Sequence, residues 1–163
     1  MKLAAVVPLL VALLVAVRPA QAQEVIYVVR HAERADQSAD AALSTEGIGR
    51  SYRLRDMLSD AGITRIFTSE LRRTIDTAAP LAAAIRVTPQ QVPGAGVAAL
   101  AAKIEASGAR DRVLVVGHSN TLPALLRALR VEPPITIADD AYDNLFIVVF
   151  PRDGRPVLLR LKY

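Results

Sequence analysis

At 163 residues the chain has room for one domain of ordinary size. It contains no cysteine, which excludes disulfides, a thiol nucleophile, thiolate metal sites and a lipid anchor on a leader cysteine. The net charge of +4 comes without a basic run interleaved with aromatics, so no nucleic-acid partner is expected.

The first stretch has the layout of a secretory signal peptide. Met1-Lys2 is a short positive start, Leu3–Val17 is almost wholly apolar, and Ala20-Gln21-Ala22 is a small-x-small cleavage site. The apolar run is shorter than the roughly 20 residues of a spanning helix, Pro8 interrupts it and Arg18 follows it. The sequence therefore predicts residues 1–22 as a removed signal, residues 23–163 as the domain, no stable membrane insertion afterwards, and a periplasmic or secreted product. Losing Lys2 and Arg18 brings the surplus positive charge down further.

Val25–Arg30 is an unbroken apolar run closed by charge, as expected of a strand buried on both faces of a parallel sheet. Ala32–Ala42 is a polar loop. A helix with Ser44 as N-cap is predicted to about Asp60, with a stripe of Ile48, Tyr52, Leu54, Met57 and Leu58 and an end at Ala61-Gly62. Arg65–Thr68 reads as a strand, followed by a helix capped by Ser69 and running to about Ile85. Val87–Gly96 reads as loop with a short strand at Val87-Thr88. Its Gly94-Ala95-Gly96 lacks the setting of a dinucleotide fingerprint, and no cofactor is expected. Val97–Ala106 is predicted as helix, Val113–Val116 as strand and Pro123–Arg130 as helix. After a loop at Val131–Ala141, strands at Asn144–Phe150 and Val157–Lys162 flank a turn at Asp153-Gly154. This alternation predicts an α/β fold: a three-layer α/β/α sandwich with a mostly parallel sheet and a C-terminal hairpin.

The chain has two histidines, and each ends a predicted buried strand: Arg30-His31 and Gly117-His118. Ligands of open α/β sheets sit beyond such strand ends. A histidine in that place is more often structural, but two at matching positions argue for one shared site. Gly117 would let backbone approach a ligand, and Ser119, Asn120 or Thr121 would start a helix whose free N–H groups face the same spot. Ser69, Arg73 and Thr77, spaced by four, share a face that carries Arg73 toward it. Two histidines, at least two arginines and a helix start make a cationic pocket suited to a dianionic phosphate, while the arginines would repel a metal cation. One imidazole, kept neutral by the surrounding positive charge, could attack phosphorus while the other stabilises the transferring oxygens. Spacing alone leaves open which histidine attacks.

Arg30-His31-Ala32-Glu33, Leu43-Ser44-Thr45-Glu46-Gly47, Thr68-Ser69-Glu70-Leu71-Arg72-Arg73-Thr74 with Thr77-Ala78, and Gly117-His118-Ser119-Asn120 occur in an ordered set. That set resembles the histidine phosphatase (phosphoglycerate mutase-like) superfamily, over essentially the whole chain after the signal. The resemblance implies His31 as nucleophile, His118 as second pocket histidine, and Arg30 and Arg73 as phosphate-binding arginines, with Ser119 and Asn120 beside them. Arg72 is expected at the surface. Ala32 stands where glycine is commoner, and Gln37 where some branches carry a phosphate-contacting Asn. Larger members carry a general acid before the second histidine strand, yet Val87–Ala102 contains no carboxylate. Glu33 is the first substitute for the proton donor, with Asp36 and Asp143 as the others. The implied activity is an exported phosphomonoesterase of the histidine acid type acting on a small phosphorylated substrate. The rivals are a non-catalytic phosphate- or phosphoprotein-binding module and a protein phosphohistidine phosphatase. The natural substrate and the oligomeric state are not legible in the sequence.

Overall fold

The computed structural model describes residues 24–108, 110–151 and 155–163. The proposed signal and the expected turn at Asp153-Gly154 lie outside them. Six strands form one sheet in the order β3-β2-β4-β1-β5-β6. In chain order the strands are β1 Glu24–Arg30, β2 Arg65–Thr68, β3 Gln90–Gln91, β4 Arg112–Gly117, β5 Asn144–Phe150 and β6 Val157–Lys162. The helices are α1 Thr45–Leu58, α2 Arg72–Ile85, α3 Val97–Glu105 and α4 Leu122–Ala128. β3, β2, β4 and β1 run parallel, while β5 runs antiparallel to both of its neighbours, β1 and β6.

The unbroken apolar runs are explained by burial on both sides. Ile26 and Val28 of β1, with Val113 and Val115 of β4, face a core closed by Ile104, Leu122, Leu125 and Leu126 of α3 and α4. Tyr27 and Val29, with Leu114 and Val116, face the opposite core, closed by Leu54, Leu58, Ala78 and Leu81 of α1 and α2. Three layers result, as the sequence predicts.

Register sets the site. β1 pairs with β4 up to Arg30 opposite Gly117, and the His31 amide continues the ladder to the Gly117 carbonyl at 2.9 Å. The two histidines therefore leave neighbouring strands at one level.

Four local expectations are corrected. The buried stripe of α1 is Gly47, Arg50, Ser51, Leu54 and Leu58, while Ile48, Tyr52 and Met57 face outward. Arg50 holds the inner position because it binds Glu33, so an apolar count mislocates the face. Helix α1 ends at Leu58, with Ser59 as C-cap, and Gly62 follows at φ +69°. Helix α2 starts at Arg72, with Leu71 at the cap position, and Ser69 Oγ accepts the Leu71 amide at 3.2 Å ahead of the helix rather than an amide within it. The short strand forms at Gln90–Gln91 rather than Val87-Thr88, where it pairs with Phe67 and Thr68.

Candidate active site

Arg30, His31, Arg73, His118, Ser119 and Asn120 line one cavity of about 650 Å3 at the carboxyl ends of β1 and β4. The His31 and His118 ring centroids are 5.3 Å apart, and Tyr142 lies 5.9 Å from His31. Arg30, His31 and His118 are 5, 4 and 8% exposed, so solvent does little to support charge on either imidazole.

Each ring is fixed by a neighbour. His31 Nδ1 lies 2.8 Å from the Ala32 carbonyl oxygen. A carbonyl only accepts, so Nδ1 holds the proton and Nε2 keeps the lone pair. His118 Nε2 is 3.0 Å from Ser69 Oγ, which also meets Thr74 Oγ1 at 2.9 Å. The Ala32 amide donates to Thr77 Oγ1 at 2.9 Å, tying the turn after β1 to α2. Burial pushes the His31 pKa down to about 3, and the charges of Arg30, His118 and Arg73 push the same way against the Ala32 hydrogen bond. Burial first, then Arg73, brings His118 down to about 4. Both imidazoles are neutral at pH 7, a state that can attack or accept a proton.

The arginines are held with donors to spare. Arg30 Nη1 donates to the carbonyls of Ala138 and Asp139 at 3.1 and 2.7 Å, and its guanidinium stacks 4.0 Å from the Tyr142 ring centroid. Arg73 Nη1 donates to the Ala39 carbonyl at 2.9 Å. The Nε of each arginine is buried without a partner, a costly arrangement.

Some expected contributors sit elsewhere. Glu33, the leading substitute for the proton donor, is outside the cavity wall: Arg50 Nε donates to its two carboxylate oxygens at 2.8 and 2.9 Å. That contact helps hold Glu33 below the usual carboxylate range against desolvation. Asp36 accepts from the Ser38 amide at 2.7 Å, and Asp143 pairs with Lys162 at 2.5 Å; neither lines the cavity. Arg72 is an exposed partner of Asp76 at 3.4 Å, as expected. Neither Ser119 nor Asn120 caps α4. Its cap position is Thr121, and the Thr121 and Leu122 amides both donate to the His118 carbonyl rather than toward the cavity. Ser119 Oγ donates to Asp139 Oδ1 at 3.0 Å. Gly117 leaves room for packing: a Cβ there would meet Leu122 Cδ2 at 2.6 Å, so the Leu122 side chain would have to shift.

Sequence reasoning missed four cavity residues, Arg34, Glu70, Asp139 and Tyr142. Glu70 sits inside the very motif that carries Ser69 and Arg73, and that adjacency was the available signal. Its carboxylate accepts from the Gly94 amide at 2.7 Å, and bonds from its own amide and that of Gly94 keep its pKa low. Among the described residues no group of three or more His, Asp or Glu side chains is placed to hold a metal ion.

The comparisons bear on the fold that carries this cavity. Residues 26–96 match the family model of the histidine phosphatase superfamily, branch 1. No curated protein matches the chain. A candidate alpha-ribazole-5'-phosphate phosphatase from Escherichia coli K-12 superposes with a TM-score of 0.69 at 15% identity, covering 86% of this chain and 96% of that one. A mycobacterial glucosyl-3-phosphoglycerate phosphatase gives 0.64 at 17% identity, over 83% and 97% of the two chains. Phosphoglycerate mutase from Plasmodium falciparum gives 0.58 at 20% identity, over 86% and 91%. At such identities the superpositions establish the fold, which is phosphoglycerate mutase-like. Residues 26–96 are thus similar to the histidine phosphatase superfamily, and the described chain has the phosphoglycerate mutase-like fold.

Proposed function

We propose that the protein is an exported phosphomonoesterase that works through a phosphohistidine on His31. The observation that carries this reading is the His31 Nδ1 contact with the Ala32 carbonyl, which leaves Nε2 unprotonated in a cavity lined by Arg30, Arg73 and His118. In the proposed reaction, Nε2 attacks phosphorus, a P–N bond forms and the ester P–O bond breaks toward the leaving group. Arg30, Arg73 and His118 stabilise the charge on the equatorial oxygens. Water then cleaves the P–N bond, releasing phosphate and restoring the imidazole.

Of the two carboxylates at the cavity, Asp139 accepts the Ser119 hydroxyl and Glu70 the Gly94 amide; Glu70, whose charge acts on both His118 and Arg73, is taken as the proton donor to the leaving group. A bound phosphate dianion is a like charge and would raise the Glu70 pKa from its low value in the empty site. Export rests on the amino-terminal pattern, and a product whose sequencing starts at Gln23 is the expected outcome. The central test is p-nitrophenyl phosphate hydrolysis beside His31→Ala. Turnover that H31A abolishes, with acid-labile phosphate trapped on the wild type, supports the reading. Vanadate binding without turnover in the wild type overturns it in favour of a binding module.

A further inference from the structure

The phosphoryl group undergoing transfer accounts for His31, His118, Arg30 and Arg73. It does not account for Arg34, a further arginine on the wall of the same cavity. Arg34 is held from both sides. Its backbone bridges to Leu43, and the flanking bonds Ala35 amide to Ala42 carbonyl and Ser44 amide to Glu33 carbonyl are each 2.9 Å. The loop beyond it is pinned to the start of α2, where the Arg72 amide donates to Asp40 at 2.7 Å and Arg73 reaches the Ala39 carbonyl.

The Arg34 side chain has a neutral partner. Nη2 donates to Gln37 Oε1 at 2.6 Å, and no ion pair with a carboxylate forms among the described residues. Asp36 feels its charge, but Asp36 Oδ1 takes the Ser38 amide. Because the guanidinium occupies Oε1, Gln37 keeps its amide N–H groups for another acceptor. Arg34 also repels Arg73 across the cavity, one of the causes of the lowered Arg73 pKa. A guanidinium without an ion pair, beside a free carboxamide donor, is the chemistry of an anion site. The cavity volume, about 650 Å3, falls within the range of roughly 300–1,000 Å3 that takes ligands much larger than phosphate.

We propose that Arg34 and Gln37 form a second anion subsite, so that the preferred substrate is a phosphate ester whose leaving group carries a further phosphate or carboxylate. The inference rests on the phosphatase reading for the transferred group. Asn120 and Tyr142 line the same cavity and carry no charge.

The test compares linear alkanediol bisphosphates of two to six carbons with the monophosphates of equal length, and with ω-carboxyalkyl phosphates. Both turnover and calorimetric binding are read, for wild type, Arg34→Ala and Gln37→Glu. Wild type is expected to favour a doubly anionic compound of one length by about tenfold or more. R34A removes the cation and Q37E neutralises it in place, so both bring that ratio toward one; thermal melts check that each variant folds. Whether bisphosphates or carboxyalkyl phosphates show the larger ratio identifies the second group. A wild-type ratio near one at every length, or a ratio that survives R34A, overturns the subsite. If nothing is turned over, the phosphatase reading fails while the binding ratio still decides the subsite.

Discussion

The titration of two imidazoles separates this site from an ordinary surface. Histidine normally gains its proton near pH 6.5, but burial and flanking arginines bring His31 to about 3 and His118 to about 4. With only two histidines in the chain, the expected outcome is direct: NMR of the ring nitrogens shows no titration between pH 8 and 5 in the empty protein. A ring that titrates near 6.5 would show the site to be open to water. Glu70 offers a second residue-scale test. Glu70→Gln is expected to lower kcat for alkyl phosphates by about a hundredfold, because an alkoxide needs a proton. For p-nitrophenyl phosphate, whose leaving group is stable without one, the loss is expected to be small. Equal losses on both substrates would remove Glu70 from proton transfer. Glu33 shows why the sequence misled on this point. A carboxylate two residues from His31 looks available until Arg50, seventeen positions away, is seen to take it.

At the scale of elements, the turn after β1 and the first turn of α1 behave as one piece. Ser44 Oγ accepts the Gly47 amide at 3.1 Å, the N-cap that the sequence predicts. A Cβ on Gly47 would lie 2.2 Å from the Glu33 carbonyl oxygen, so α1 can sit this close only with glycine there. Gly47→Ala is expected to cost about 1–3 kcal/mol in denaturant unfolding and to shift the turn that holds Ala32 and His31. Unchanged stability and turnover would show that this turn gives way freely. The strands and most helix bounds were legible because they depend on local apolar patterning: β2, β5 and β6 fall where the sequence puts them. The start of α2 was not: Ser69 Oγ accepts the Leu71 amide before the helix and also meets His118, which comes from far along the chain.

For the molecule as a whole, the depressed histidines tie stability to pH. The unfolded chain binds protons at its histidines near pH 6.5, whereas the folded chain resists until about 4 and 3. Between those limits the unfolded state holds more protons, so stability falls as the pH is lowered from 6.5 and is fully present above it. Each pKa unit of difference corresponds to about 1.4 kcal/mol, so two such groups are felt in the whole domain. The melting temperature is expected to decline from pH 7 to 4.5, with a shallower decline in His31→Ala/His118→Ala. Identical slopes would assign the acid sensitivity to carboxylates alone. Phosphate or vanadate should raise the melting temperature by binding the folded form.

By itself the sequence determined the α/β alternation, the buried central strands, and the pair of histidines at two strand ends. Each of these is written in short-range patterning, apolar runs and the residues that stop them. The tertiary structure decided which charges are free. Register brought His31 and His118 to one level, Arg50 withdrew Glu33, and the loop pinned by Arg72 and Arg73 brought Arg34 to the cavity wall. Pairing between charges depends on distance through space, and the distances here are set by elements tens of residues apart.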